Sequence, residues 1–446
     1  MKFELLRHTP GCKKLILIFS GWSTDATIYG DICVDGWDLA VVHDYSDMQF
    51  DLSALKGYST IWLFAWSLGI KAASAVLPSE LITGAYAING TLRPVDDEEG
   101  IPVAIYEGTL NNLDKRNLTK FRRRMSPDAE TFKSLFDRDF SEEEIESLRT
   151  QLASFRTLTD NGNLPWRKAF IADGDKIFPP ENMKRSWSKL SVEIVEMKGG
   201  HYLPIQQIVA SVIPDPVKVG GKFHSAIDSY DNHATAQNNI ATHLSQLLLD
   251  NCEPNPQSLL EIGPFTGMFT RKYLPVLKPE EADFVDLFPI EPFNLAAKEN
   301  YYCCDAEKWI ENTDRIYDMI VSASTIQWFS NIGEFISNCR KHLKPGGVLA
   351  ISSFVAGNLG ELDHYRPAPL HYPSKEDYQK WISANFSGYK IETEEIVMKF
   401  SNKRELLMHL KHTGVSAGGN SSATRVALPE SCDTLTYRPI YIVAEV

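Results

Sequence analysis

Cysteine is scarce in this 446-residue chain: there are seven, scattered, with Cys303 and Cys304 adjacent and no Cys-x-x-Cys anywhere. Neither a zinc site nor a disulfide framework follows, no metal is expected, and a reduced, cytoplasmic setting is. Long apolar runs are missing too. The longest, such as residues 15–19, are far too short to span a bilayer, so no membrane partner is expected. Residues 1–7 lack the apolar core of a secretory signal. Basic residues are outnumbered, 45 against 58 acidic, and a net charge of −13 argues against a nucleic-acid partner. What remains is an ordinary soluble composition, 43% hydrophobic and 23% charged. One core seldom serves this length, so two domains of roughly 200 residues are expected.

The chain divides at residues 214–222, Pro-Asp-Pro-Val-Lys-Val-Gly-Gly-Lys. Two prolines remove backbone donors and two glycines relax the path, so neither helix nor strand is expected to run through. The division predicted is a domain over 1–212, a linker over 213–222 and a second domain over 223–446. Both halves read as α/β.

In the first half, residues 14–20 form an apolar run closed by Gly21, as expected of a parallel strand buried on both faces. Residues 39–42 and 60–65 read as further strands. The last of these runs into Ala65-Trp66-Ser67-Leu68-Gly69 and an alanine-rich helical stretch. Strand, tight turn bearing serine, then helix is the setting of a nucleophile elbow, with Ala65 where glycine is usual. A serine in such a turn can equally be a plain helix cap. Its partners favour catalysis. Residues 169–172 read as a strand followed by Asp173-Gly174-Asp175, and residues 192–197 as a strand followed by Gly199-Gly200-His201. Serine, acid and histidine thus follow successive strands in the order Ser67, Asp175, His201, with Asp173 as the rival acid. Between elbow and acid lies a helical insertion. Residues 113–125 carry Leu118, Phe121 and Met125 at helical spacing among Lys115, Arg116, Lys120 and Arg122-Arg123-Arg124. Ser141-Glu142-Glu143-Glu144 is a capping box that opens a second amphipathic helix. The basic cluster is either a solvated face or a spot that steers an acidic partner.

Taken together, Ser20-Gly21-Trp22, residues 64–69, Asn89-Gly90-Thr91, the basic insertion and Gly199-Gly200-His201 resemble the pimeloyl-carrier-protein methyl ester esterases of biotin synthesis, in their compact BioG form. The resemblance implies an α/β-hydrolase fold with a helical lid. It also implies an oxyanion hole from the backbone N–H groups of Trp22 and Leu68, and docking of an acyl carrier protein by Arg122, Arg123 and Arg124.

The second half opens on residues 223–248, read as one long helix with Phe223, Ile227, Tyr230, Ala234 and Gln237 along one face. Then come five stations in order. Leu259-Leu260-Glu261-Ile262 is a strand whose exit loop holds Gly263 and Gly267, a tight turn at a helix N-terminus. Asp286 ends the next strand, where a carboxylate can accept bonds from ribose hydroxyls. Asp305-Ala306 follow a third strand, Thr325-Ile326-Gln327-Trp328 a fourth, and Lys344-Pro345-Gly346-Gly347 precedes a fifth. This order resembles the Rossmann-like class I S-adenosylmethionine-dependent methyltransferases, with Pro264-Phe265 where a second glycine is common. The resemblance implies S-adenosylmethionine as cofactor, near Glu261, Gly263, Gly267, Asp286, Asp305 and Ala306. Within that group, residues 223–241, Ser324–Trp328 and the ending Leu435-Thr436-Tyr437-Arg438 resemble the malonyl-carrier-protein O-methyltransferases of biotin synthesis. Tyr230, Gln237 and Trp328 are the candidate substrate-binding residues.

The two resemblances meet in one pathway: methylation masks the malonyl carboxylate during elongation, and hydrolysis of the pimeloyl methyl ester restores it. Two alternatives stay open. The first half can be a catalytically silent carrier-binding module, or the pair can act on other small carboxylic acids.

Overall fold

A computed structural model of the protein describes residues 1–159, 163–213, 215–252, 255–365, 370–413, 428–429 and 432–446. The chain forms two compact units, Met1–Ala210 and Ser211–Val446.

The first unit is built on seven strands: β1 (Lys2–Arg7), β2 (Lys14–Phe19), β3 (Asp38–His43), β4 (Thr60–Trp66), β5 (Gly84–Ile88), β6 (Trp166–Ala172) and β7 (Glu193–Met197). Their order is β1-β3-β2-β4-β5-β6-β7, parallel throughout except for β1, which runs antiparallel to β3. Every residue of β4 and β5 is buried, which explains their unbroken apolar sequences. The chain steps from β2 to β3 on one side and then to β4 on the other. The loops after β2 and β4 therefore open at a switch point, where side chains from both can meet. Close packing there demands glycine: a Cβ on Gly69 would stand 2.3 Å from the Phe19 carbonyl oxygen. Between β5 and β6 the chain inserts helices that include Lys115–Met125 and Glu142–Ser154, the latter opened by the expected capping box at Ser141.

The second unit holds β8 (Ser258–Ile262), β9 (Glu281–Asp286), β10 (Lys298–Cys303), β11 (Tyr317–Ala323), β12 (Leu343–Phe354), β13 (Gly388–Thr393), β14 (Ile396–Lys399), β15 (Thr434–Tyr437) and β16 (Pro439–Glu445). Seven of them form a sheet in the order β10-β9-β8-β11-β12-β16-β13, and β14 pairs with β15. The five strands from β10 to β12 are parallel, while β16 is antiparallel to both neighbours. Here the switch point lies between β8 and β11, so the Gly263 loop and the Ser324–Trp328 turn share one crevice.

Two expectations are corrected. The stretch read as helix-free contains a helix, Pro216–Ser225. A proline at the first helical position lacks only a donor that has no intrahelical acceptor, and the Asp215 carboxylate caps the Val217 N–H at 3.1 Å. Gly220 is there for space: a Cβ would meet the Phe288 ring at 2.3 Å. Pro214 lies outside the described residues. The single helix read over residues 223–248 is instead divided among the end of Pro216–Ser225, Ile227–His233 and Thr235–Asn251. Neither break has a proline or glycine, and the sequence gives no sign of it.

Candidate active sites

Ser67 sits in the left-handed region (φ 59°) at the end of β4, immediately before the helix Gly69–Val76. Such a backbone costs a non-glycine residue about 1–3 kcal/mol and is kept where its surroundings hold it. Here the Ser67 N–H donates to the Ile88 carbonyl at 2.9 Å. The hydroxyl lies 2.9 Å from His201 Nε2, and His201 Nδ1 lies 2.8 Å from Asp175 Oδ2. The other Asp175 oxygen accepts the backbone N–H groups of Ile177 and Phe178, at 2.7 and 3.1 Å. Asp175 and His201 are buried, and the imidazole stacks on Phe178 and meets the Trp66 ring at a tilt. The rival acid is elsewhere: Asp173 is exposed and paired with Lys198, which holds its carboxyl below the ordinary range.

Sequence reasoning gave Asn89 no role, yet it ties the site together. Its amide donates to the Gly200 and His201 carbonyls at 3.0 and 2.9 Å, and its oxygen accepts the Ala172 N–H at 2.8 Å. An asparagine just past an apolar strand and just before a glycine was the available signal. Trp22 and Leu68 flank Ser67 in the loops after β2 and β4, both buried. The inserted helices close over this corner. Trp22 donates its indole N–H to the Leu148 carbonyl and packs edge-on to Phe121, and Trp66 and Phe136 pack on Tyr202.

The three arginines part company. Arg123 and Arg124 are exposed, with Lys115, Arg116 and Lys120. Arg122 is 3% exposed and cannot serve as a docking residue. Its guanidinium donates to the carbonyls of Phe136 and Ser23 and lies 4.8 Å from the Phe140 ring centre. Burial pushes its pKa down to about 10. It stands four residues beyond Leu118 and three before Met125, on the buried arc of its helix, so the apolar stripe itself passes through it.

In the second unit a cavity of about 160 Å³ opens at the switch point. Gly263, Asp286, Asp305 and Ala306 line it, as do Tyr230, Gln237 and Trp328. Gly263 (φ 68°) has no room for a side chain, since a Cβ would meet Thr325 Oγ1 at 2.3 Å. Asp286 accepts the Phe265 and Phe288 N–H groups at 3.1 and 3.2 Å, while burial raises its pKa. Phe223, Tyr230, Phe265 and Trp328 form an aromatic wall, with Tyr230 and Phe265 edge-on at 4.9 Å and Phe223 and Trp328 at 5.8 Å.

Two expected cofactor residues stand outside this lining. Glu261 is buried, bonded to Thr270 Oγ1 at 2.9 Å and to Tyr273 OH at 2.7 Å; burial outweighs both bonds and pushes its pKa up to about 7. It braces the helix after the loop. Gly267 makes the loop's turn, where a Cβ would collide with Phe293. Glu307, Ser324, Leu287 and Phe288 also line the cavity and were not anticipated. Inside it, Gln237 Oε1 and Ser324 Oγ are buried and, among the described residues, have no hydrogen-bond partner, so the cavity's chemistry is prepared for a polar ligand. Among the described residues no group of acids, histidines and cysteines is arranged to hold a metal ion, and no helix is long and apolar enough to cross a membrane.

Residues 1–209 match the family described as pimeloyl-ACP methyl esterase BioG, and residues 260–349 match the methyltransferase domain family. A malonyl-[acyl-carrier protein] O-methyltransferase of Bacteroides fragilis is 32% identical over 469 residues, covering 99% of this chain and 95% of the relative. One from Porphyromonas gingivalis is 32% identical over 240 residues, 50% of this chain and 93% of the relative. A crystal structure of BioG from Haemophilus influenzae is 33% identical, covers 46% of this chain and 96% of its own, and has a TM-score of 0.42.

Proposed function

Because the chain belongs to the malonyl-[acyl-carrier protein] O-methyltransferase family, with a BioG-family unit at its amino end, we propose that it performs two opposed reactions. The second unit methylates the free carboxylate of malonyl-[acyl-carrier protein], and the first hydrolyses pimeloyl-[acyl-carrier protein] methyl ester to the acid and methanol. The single observation that carries the hydrolytic half is the Ser67–His201–Asp175 relay at 2.9 and 2.8 Å.

The first unit then works as an α/β-hydrolase with a helical lid. Ser67 Oγ attacks the ester carbonyl while its proton passes to His201 Nε2, and Asp175 holds the tautomer and steadies the imidazolium. The N–H groups of Trp22 and Leu68 bond the oxyanion. His201 returns the proton to the departing methoxide, and water repeats the cycle to free the acid. Asn89 is a positioning residue for the His201 loop.

In the second unit the residues suit S-adenosylmethionine: Asp286 for ribose hydroxyls, Gly263 for close approach, and the unpaired Gln237 and Ser324 oxygens for polar groups. Bound there, the cofactor supplies an electrophilic methyl group. A carboxylate is already ionised at pH 7, so no strong base is needed. Tyr230, Phe265 and Trp328 exclude water, and Tyr230 and Gln237 orient the acceptor oxygen.

The test uses the full chain with labelled S-adenosylmethionine and malonyl-carrier protein, followed by mass spectrometry of the acyl group. Separately, methanol release is followed from the pimeloyl methyl ester. Ser67→Ala should cut ester hydrolysis by about 10⁴-fold or more and leave methyl transfer at the wild-type rate. Undiminished hydrolysis by Ser67→Ala would reduce the first unit to a binding module.

A further inference from the structure

The helix Lys403–His412 has two faces. Leu406, His409 and Leu410 are buried, and His409 Nε2 lies 2.7 Å from Tyr437 OH. His412 stacks on His233 with ring centres 4.3 Å apart, and its Nδ1 is 2.9 Å from Ser229 Oγ. Ser229 and His233 belong to Ile227–His233, the helix that carries Tyr230 into the cavity wall. The inner face thus rests directly on the element that closes the methyl-transfer site.

The outer face is of another character. Lys403, Arg404, Leu407, Met408 and Lys411 fall within one arc of the helix and line a shallow groove of about 390 Å³. Met408 is 45% exposed, and among the described residues Arg404 and Lys411 have no carboxylate partner. The only acid on this helix, Glu405, points off the arc and is occupied by the Ser401 N–H at 2.7 Å. In a chain of net charge −13, a stripe of three cations around two apolar side chains stands against the general field.

We propose that this face docks the acyl carrier protein that presents the malonyl group, through an acidic helix with apolar side chains between its carboxylates. The proposal rests on the methyltransferase reading above, and it gives that unit a docking surface of its own, separate from the arginines of Lys115–Met125. The dimensions favour a protein helix. The stripe is one helix long, about 15 Å. A membrane surface would call for a broad apolar face with large side chains, and a nucleic acid for a wide basic field.

The experiment compares two acceptors in the full chain, malonyl-carrier protein and the small thioester malonyl-N-acetylcysteamine, which has the same carboxylate but no carrier surface. Arg404→Glu/Lys411→Glu should raise KM for the carrier by about tenfold or more, with kcat, cofactor affinity and the small thioester unaffected. Arg404→Gln/Lys411→Gln should give a smaller rise. Raising the ionic strength from about 0.05 to 0.5 M should weaken wild type far more than the reversed variant. Arg116→Glu/Arg123→Glu should leave methyl transfer to the carrier unchanged. An unaltered KM for the carrier in the reversed variant would overturn the docking surface and leave the functional reading standing. An equal loss on both acceptors, or of cofactor affinity, would also overturn it, by placing the effect in the cavity. If the variant lost binding to phosphatidylglycerol vesicles while keeping its KM, the occupant would be a membrane and not a carrier. Methylation of neither acceptor by a wild-type chain that binds S-adenosylmethionine would defeat the functional reading itself, and the proposal with it.

Discussion

Reversing Arg122 to glutamate separates two roles that its neighbours make look alike. At the surface, Arg122→Glu would cost almost nothing in stability and would weaken an acidic partner. In the structure its guanidinium is buried, facing the carbonyls of Phe136 and Ser23. Orphaning two buried carbonyls costs about 1–3 kcal/mol each. An uncompensated carboxyl in the same place adds about 3–5 kcal/mol. Against this, the native cation is itself disfavoured by burial: a pKa pushed down to about 10 corresponds to about 3 kcal/mol recovered when it is removed. The balance is a loss on the order of 5 kcal/mol, a large part of the stability of most domains. For a unit of this size that is a fall in melting temperature of about 10–20 °C. Thermal scans of the full chain, with hydrogen exchange on peptides from Met1–Ala210, would read it. Arg123→Glu/Arg124→Glu, both exposed, should stay within about 0.5 kcal/mol of wild type per site. Arg122→Glu melting with wild type and instead raising KM for the carrier-linked ester would place the guanidinium at the surface and refute the buried role.

Two further outcomes follow from the sites. Asp175→Asn should reduce ester hydrolysis by about 10⁴-fold by leaving His201 in the wrong tautomer, while Asp173→Asn should keep it; steady-state rates on a small aryl ester decide between them. Glu261 titrates near 7 when folded against an ordinary 4.5, so the stability it contributes is full below about pH 4.5 and lost as pH rises through about 7. Glu261→Gln should remove that slope and leave the variant more stable than wild type by about 3 kcal/mol at pH 8, with cofactor affinity unchanged, as denaturant titrations at pH 5 and pH 8 and calorimetry would record.

Five of the seven strands in each sheet were legible, because a strand buried on both faces leaves an unbroken apolar run, and the functional residues follow such runs directly; β5, β13 and β16 were not read. Ser67, Asp175 and His201 lie in the loops just after β4, β6 and β7, and Asp286 and Asp305 stand at the ends of β9 and β10, so naming the strand named the residue. Strand β1 gave no such run, being largely exposed at the sheet edge, and it was missed. Orientation was harder than position. Arg122 carried a charge, and charge suggested solvent, although its phase with Leu118 and Met125 put it inside. Glu261 stood in the strand that leads into the right loop yet faces Thr270 and Tyr273, because successive strand residues point to opposite faces and its face is the one the following helix covers.

Phe265 carries this lesson furthest. In sequence it is a departure, a bulky residue where a second glycine is common. The backbone there is left-handed (φ 49°), as a glycine's would be, and a phenylalanine held so costs about 1–3 kcal/mol. The ring offsets that cost. It lies edge-on to Tyr230 at 4.9 Å and to Phe223 at 5.9 Å, and aromatic pairs of this kind contribute about 0.5–1.5 kcal/mol each beyond the area they bury. Both partners come from Pro216–Ser225 and Ile227–His233, the short helices into which the long predicted one is divided. A glycine at 265 would remove the ring on which both Phe223 and Tyr230 pack edge-on. The bulk in the loop and the break in the helix are two halves of one arrangement, a cavity walled by aromatic rings in place of backbone.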